Sequence, residues 1–154
     1  MSLFPRLMYR ALVWKERQRA RRGTSLSEES GEKAAHLITG ERGETLAYWY
    51  LRQAGYIIVA RNRRARSGVG ELDLVGWDGP VLAFVEVKTR TTLEGGPPEA
   101  AVSRAKQKRI AKAAKDYLRK LRRGRVNYRF DITSIVWDAE SGYQVRLIKD
   151  AFKG

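Results

Sequence analysis

Asp73, Glu86 and Lys88 are the residues whose types and spacing best suit chemistry in this chain. They sit in the segments Glu71-Leu72-Asp73-Leu74 and Val85-Glu86-Val87-Lys88. Carboxylates brought together repel, and a divalent cation relieves the repulsion. Mg²⁺ takes one or two carboxylates and fills its shell with water, other oxygens and phosphate. It acidifies water and offsets charge on a reacting phosphate. A lysine alongside orients water or stabilises developing negative charge. The chemistry on offer is metal-assisted phosphodiester hydrolysis, with Asp73 and Glu86 as metal ligands, the backbone carbonyl of Val87 as a further ligand and Lys88 as the catalytic lysine. The alternative is a solvated hairpin face carrying cross-strand Glu–Lys pairs, which contribute little.

The elements that must position these groups are legible around them. Asp78-Gly79 lies between strand-like runs at 71–76 and 81–89, a hairpin signal. With Asp78-Gly79 as a two-residue turn, Trp77 pairs with Pro80, Asp73 with Phe84 and Glu71 with Glu86. Side chains alternate with period two, so Glu71, Asp73, Glu86 and Lys88 share one face. Leu72, Leu74, Val85 and Val87 form the other, expected to be the core face, and Glu86 lies diagonal to Asp73. A helix is expected over 41–54, stopped by Gly55. Glu44 falls in its apolar half with Ala47, Tyr48, Leu51 and Ala54. There it either complements the helix dipole or serves the site as an accessory acid.

Tyr56–Ala60 reads as a short buried strand, 99–122 as a long helix after a Gly/Pro-rich loop at Glu94–Pro98, and 128–137 and 143–148 as strands joined by a turn at 138–142. The order helix, three strands, helix, strand, strand implies an α/β fold with a mixed sheet flanked by helices. A basic amphipathic helix over 3–20, with Leu3, Leu7, Met8, Val13 and Trp14 on its apolar side, precedes a linker at Gly23–Gly31. Residues 1–35 are accordingly read as an arm and linker, and 36–154 as the main domain.

Composition narrows the partners. The chain has 154 residues, 31 Lys and Arg against 17 Asp and Glu, and a formal charge of +14. That excess suits a polyanion, nucleic acid before an anionic membrane surface. With no cysteine and one histidine, His36, thiolate zinc sites, cysteine nucleophiles and multi-histidine sites are excluded, leaving oxygen ligands and therefore Mg²⁺ or Mn²⁺. No apolar run approaches the roughly 20 residues needed to span a bilayer, and the N-terminus does not resemble a secretory signal. Together with the absent cysteine, this gives a cytoplasmic location as the expectation. Residues 104–129 hold twelve basic residues and one acid, Asp116. Lys106 and Arg109, on the first turns of the helix there, are candidate phosphate contacts, as are Arg61, Arg63, Arg64 and Arg66. No Walker, dinucleotide or zinc motif is present.

A set of motifs running through residues 36–152 resembles the YraN-like family of bacterial proteins. The set comprises Gly40-x-x-Gly43-Glu44, Gly55-Tyr56, Asn62, Gly70-Glu71-Leu72-Asp73-Leu74, Phe84-Val85-Glu86-Val87-Lys88-Thr89-Arg90, Lys106, Arg129-Phe130-Asp131 and Asp150-Ala151-Phe152. That family is similar to the PD-(D/E)XK nuclease superfamily, near Holliday-junction resolvases and restriction endonucleases. The resemblance implies a restriction-endonuclease-like αβββαβ core with a central mixed β-sheet flanked by helices. It also implies metal-ligand roles for Asp73 and Glu86, a catalytic role for Lys88 and an accessory one for Glu44; Arg90, two residues beyond Lys88, is a further candidate nucleic-acid contact. Leu72 stands where the superfamily carries its leading proline, and Gln107 and Tyr117 lack the Gln-x-x-x-Tyr spacing of one of its branches. The expected function is Mg²⁺-dependent cleavage of DNA, branched or damaged DNA included, with a homodimer as the arrangement for symmetric cutting. A non-catalytic nucleic-acid-binding module on the same fold is the alternative.

Overall fold

The computed structural model describes residues 3–21, 30–66, 68–90, 96–121, 124–138 and 142–154. Its elements are α1 (Leu3–Arg21), α2 (Ser30–Gln53), β1 (Ile57–Arg64), β2 (Glu71–Asp78), β3 (Val81–Arg90), a 3₁₀ turn (Pro98–Ala101), α3 (Arg104–Lys120), β4 (Tyr128–Asp138) and β5 (Gly142–Phe152). The five strands form one sheet in sequence order. Neighbours are antiparallel except β3 and β4, which are parallel. Parallel neighbours need a long crossover, and α3 lies within it. The expected αβββαβ order is realised as α2-β1-β2-β3-α3-β4.

Both faces of the sheet are covered, so the expectation of one core face needs correction. Leu46, Ala47 and Leu51 of α2 pack with Leu74, Ala83, Val85 and Ile135. Ile110, Ala113 and Ala114 of α3 pack with Val75, Leu82, Phe84, Phe130 and Ile132 on the opposite side. Covering on both faces explains why β3 reads as a continuous apolar run rather than an alternating one. Leu72 and Leu74, expected on one face, belong to different clusters. Their β1 partners are Arg63 and Arg61, and between these Asn62 takes a left-handed φ of 46°. The pleat is broken at that point.

The hairpin register also differs by two residues. Asp78 pairs with Val81 and Leu74 with Val85, so Gly79-Pro80 is the turn. Proline cannot take the positive φ that the second central position of a type I′ turn requires. It fits that position in a type II′ turn, with Gly79 before it at φ 57°. An even shift leaves Glu86 and Lys88 on the face shared with Asp73 but carries Glu86 from diagonal to opposite Asp73.

Several boundaries move. α2 begins at Ser30, not 41, and runs through Gly40 and Gly43. A side chain at Gly43 would collide with that of Thr89, so this glycine sets the close approach of α2 to β3. Tyr56–Ala60 is not a buried strand: β1 starts at Ile57, lies at the sheet edge and leaves Ile57 and Val59 exposed. The single helix expected over 99–122 is a 3₁₀ turn followed by α3, restarted where the Ser103 hydroxyl accepts the Lys106 N–H at 3.2 Å. Residues 22–29, which hold most of the expected linker, 91–95, which hold the start of the expected loop, 139–141 of the turn, and Arg122 and Arg123 lie outside the described residues.

In α1 the packed side is the expected one only at Val13, which joins the α2-side core with Tyr9 and Leu12, while Leu3, Leu7 and Trp14 are exposed. Edge-to-face pairs of Phe4 with Trp49 and Tyr9 with Tyr50 draw the helix round. No helix among the described residues is long and apolar enough to cross a membrane.

A buried ionic knot fastens one end of the sheet. Arg129 donates to Asp131 at 2.8 Å, to Asp78 at 2.6 Å and to the Tyr56 hydroxyl at 2.9 Å. Tyr56 in turn donates to Asp131, as does the backbone N–H of Asp150. Asp131 is fully buried, and these donors satisfy a charge that would otherwise be costly to bury.

Candidate active site

The site lies where β2 and β3 part. Their paired register ends at Leu74–Val85, and the next residues outward are Asp73 and Glu86. The Val87 N–H is taken by Asp73 Oδ2 at 2.8 Å. This side-chain bond fixes the Asp73 carboxylate beside Glu86 while satisfying a backbone donor. The two carboxyl groups are close enough that each bears on the ionisation of the other.

Glu86 is 3% exposed and occupies the α3 side of the sheet. Its Oε1 lies 3.5 Å from Lys88 Nζ and 3.3 Å from Lys106 Nζ. Its Oε2 is buried with no hydrogen-bond partner. Both lysines remain about a third exposed, so the pair opens to solvent past their ammonium groups.

Burial, and then the neighbouring Asp73 charge, push the Glu86 carboxyl up to about 7, against the pull of Lys106 and Lys88. Asp73 is also raised, chiefly by burial, although the Val87 N–H and the lysines oppose it. Glu44, half-buried on α2, is raised by burial and by Asp73, while a hydrogen bond with Asn62 and the charge of Arg61 lower it. Three acids held back from ionising, each chiefly by burial, mark a place where a bound cation would be stabilising.

The donors suit a hard cation: two adjacent carboxylates, one with an unpartnered oxygen, match the one or two carboxylates Mg²⁺ takes from a protein. Among the described residues, no three acidic or histidine side chains gather closely enough to hold an ion. Glu44 therefore stands by the pair electrostatically rather than as a third close ligand. The side chain of Glu71 leans the other way, 3.9 Å from Arg64.

The expected phosphate contacts divide into groups. Arg64, Lys106 and Arg109 line one cavity of about 380 Å³ with Ala65, Gly68, Gly70, Glu71 and Ile110. Arg63 lines the adjoining crevice with Tyr117 and Lys120. Arg61 instead stacks on Tyr48 at 4.7 Å, Arg90 donates to the Gly96 carbonyl at 3.1 Å, and Arg66 is exposed. Two features escaped sequence reasoning. Lys106 touches Glu86 directly, which needed the α3 crossover to be placed. Gly70, at φ 104°, lies so close to the Arg109 carbonyl that a Cβ would come within 2.6 Å of it. Its position in Gly68-Val69-Gly70 was the available signal for that approach.

A five-stranded mixed sheet flanked by helices, with a carboxylate pair and a lysine where its central hairpin parts, defines an α/β protein compatible with a restriction-endonuclease-like core. The chain belongs to the uncharacterised protein family UPF0102, whose family model matches residues 43–135. It is 47% identical over 113 residues to a UPF0102 protein of Solibacter usitatus, covering 73% of this chain and 84% of the relative. A UPF0102 protein of Koribacter versatilis is 43% identical over 121 residues, covering 79% and 83%. One of Clostridium tetani is 44% identical over 115 residues, covering 74% and 93%.

Proposed function

We propose that this protein is a Mg²⁺- or Mn²⁺-dependent nuclease that hydrolyses phosphodiester bonds in DNA. The observation that carries this reading is the Asp73–Glu86 pair, with Glu86 buried, its Oε2 unpartnered and Lys88 alongside. Asp73 and Glu86 would hold the ion, with the Val87 carbonyl available beside them. When bound, the ion supplies positive charge against the scissile phosphate and acidifies water. Lys88 orients the attacking water and stabilises the charge developing on the phosphate. The Val87 N–H keeps Asp73 from turning away, and Glu44 adds negative potential that favours cation entry. The cationic cavity wall at Arg64, Lys106 and Arg109 holds the strand against the carboxylates.

The test is incubation of purified protein with duplex, flap and four-way-junction DNA in Mg²⁺, in Mn²⁺ and in EDTA. Cleavage is expected only with metal, and Asp73→Ala should lose it. Metal-dependent salt-sensitive binding with no cut on any substrate, or equal cleavage by the variant, would overturn the reading.

A further inference from the structure

We infer that the cavity between the β1–β2 loop and α3 is a subsite for a terminal phosphomonoester, so that the nuclease engages strand ends. The inference rests on the proposed function and names the substrate class for the same site. Three cationic side chains, Arg64, Lys106 and Arg109, converge on the cavity against one carboxylate, Glu71. Arg64 and Arg109, with Lys106 shared between the cavity and Glu86, leave a cationic surplus that suits a phosphomonoester, which carries about −1.5 to −2 at neutral pH. An internal phosphodiester carries only about −1. Glu71 lies 3.9 Å from Arg64 Nε at the edge of the cavity. Two planar guanidinium forks can grip phosphate oxygens in pairs.

The cavity has a shaped floor. Ala65 and Ile110 are buried there, and Gly70 closes against the Arg109 carbonyl with no room for a side chain. The loop thus forms one wall and α3 the other. Lys106 joins this cavity to the carboxylate pair, since it lines the cavity and its Nζ lies 3.3 Å from Glu86 Oε1. A phosphate seated there is next to the hydrolytic centre, with the strand leading from one to the other.

The experiment measures binding of a short single-stranded DNA bearing a 5′-phosphate, a 3′-phosphate or hydroxyls at both ends, to the full chain in EDTA. One phosphorylated form should bind about tenfold tighter than the hydroxyl form, the worth of one charge-assisted hydrogen bond. Inorganic phosphate should compete for that increment. Arg64→Ala and Arg109→Ala, both at exposed positions that folding tolerates, should abolish the increment, whereas Arg66→Ala should retain it. Equal binding of all three DNAs, or an increment that survives the Arg64→Ala/Arg109→Ala double variant, would overturn the inference. Because the readout is metal-free, it is independent of cleavage. Lys88→Met, which is outside the cavity lining, should keep the increment while losing the nuclease activity, so either idea can fail alone.

Discussion

Replacing Glu86 with Gln should stabilise the metal-free protein above neutral pH while removing its response to metal. In the folded chain the Glu86 carboxyl holds its proton up to about 7, because burial and Asp73 oppose ionisation. In the unfolded chain it ionises near 4.5. Between these values the folded state binds more protons than the unfolded state, so stability falls as pH rises. The contribution is fully present below 4.5 and is lost as pH passes about 7. A displacement of this size corresponds to on the order of 3 kcal/mol. Glutamine keeps the shape and cannot ionise. The gap between Glu86→Gln and wild type should therefore open from near zero at pH 4.5 to about 3 kcal/mol at pH 8. For a chain of this size that is roughly 6–12 °C in Tm. Thermal melts in EDTA across pH 4–8.5 read it directly. Mg²⁺ at pH 8 should recover part of the loss in wild type only, because a ligand that binds only the folded state stabilises it. Parallel pH profiles for the two proteins would refute the argument that Glu86 is a buried, charge-starved carboxylate.

Other perturbations have defined outcomes. Arg129→Ala strands Asp131, which is fully buried, and should cost about 3–5 kcal/mol by chemical denaturation. A loss under 1 kcal/mol would contradict the knot's role. Gly43→Ala should destabilise by about 1–3 kcal/mol through its collision with Thr89. In a Thr89→Ala background most of that loss should disappear, because the Oγ1 collision goes and only the Cβ contact at 3.1 Å remains, against alanine's helix preference of about 1 kcal/mol. Lys88→Met should reduce cleavage at least about 100-fold while leaving the Mg²⁺-induced rise in Tm intact. A matching loss of both would make Lys88 a structural partner of Glu86 instead.

The carboxylate pair was legible because β-strand alternation survives an even shift of register, so Asp73, Glu86 and Lys88 kept their common face although Gly79-Pro80 displaced the expected turn. The pairing across that hairpin was not legible, because it depends on how Pro80 is accommodated. The coarse element order was equally readable from the apolar runs and from glycines such as Gly55. Buriedness was harder. Tyr56–Ala60 looks like a core strand in composition, yet it is an edge strand, since nothing local specifies how many neighbours a strand has. Lys106 illustrates the same limit: its helix position was readable, but its contact with Glu86 exists only once α3 crosses over β3. The Arg129–Asp131 knot joins residues as distant as Tyr56 and Asp150, and no short-range pattern announces such a closure.

The most direct test of the central claim is cleavage of four-way-junction and linear duplex DNA at pH 8, comparing wild type with Glu86→Gln in Mg²⁺ or Mn²⁺. The account predicts strand scission by wild type that needs the metal, and none by a Glu86→Gln variant that is at least as stable as wild type. Scission of equal rate by both proteins, or none by wild type under either metal, would contradict it.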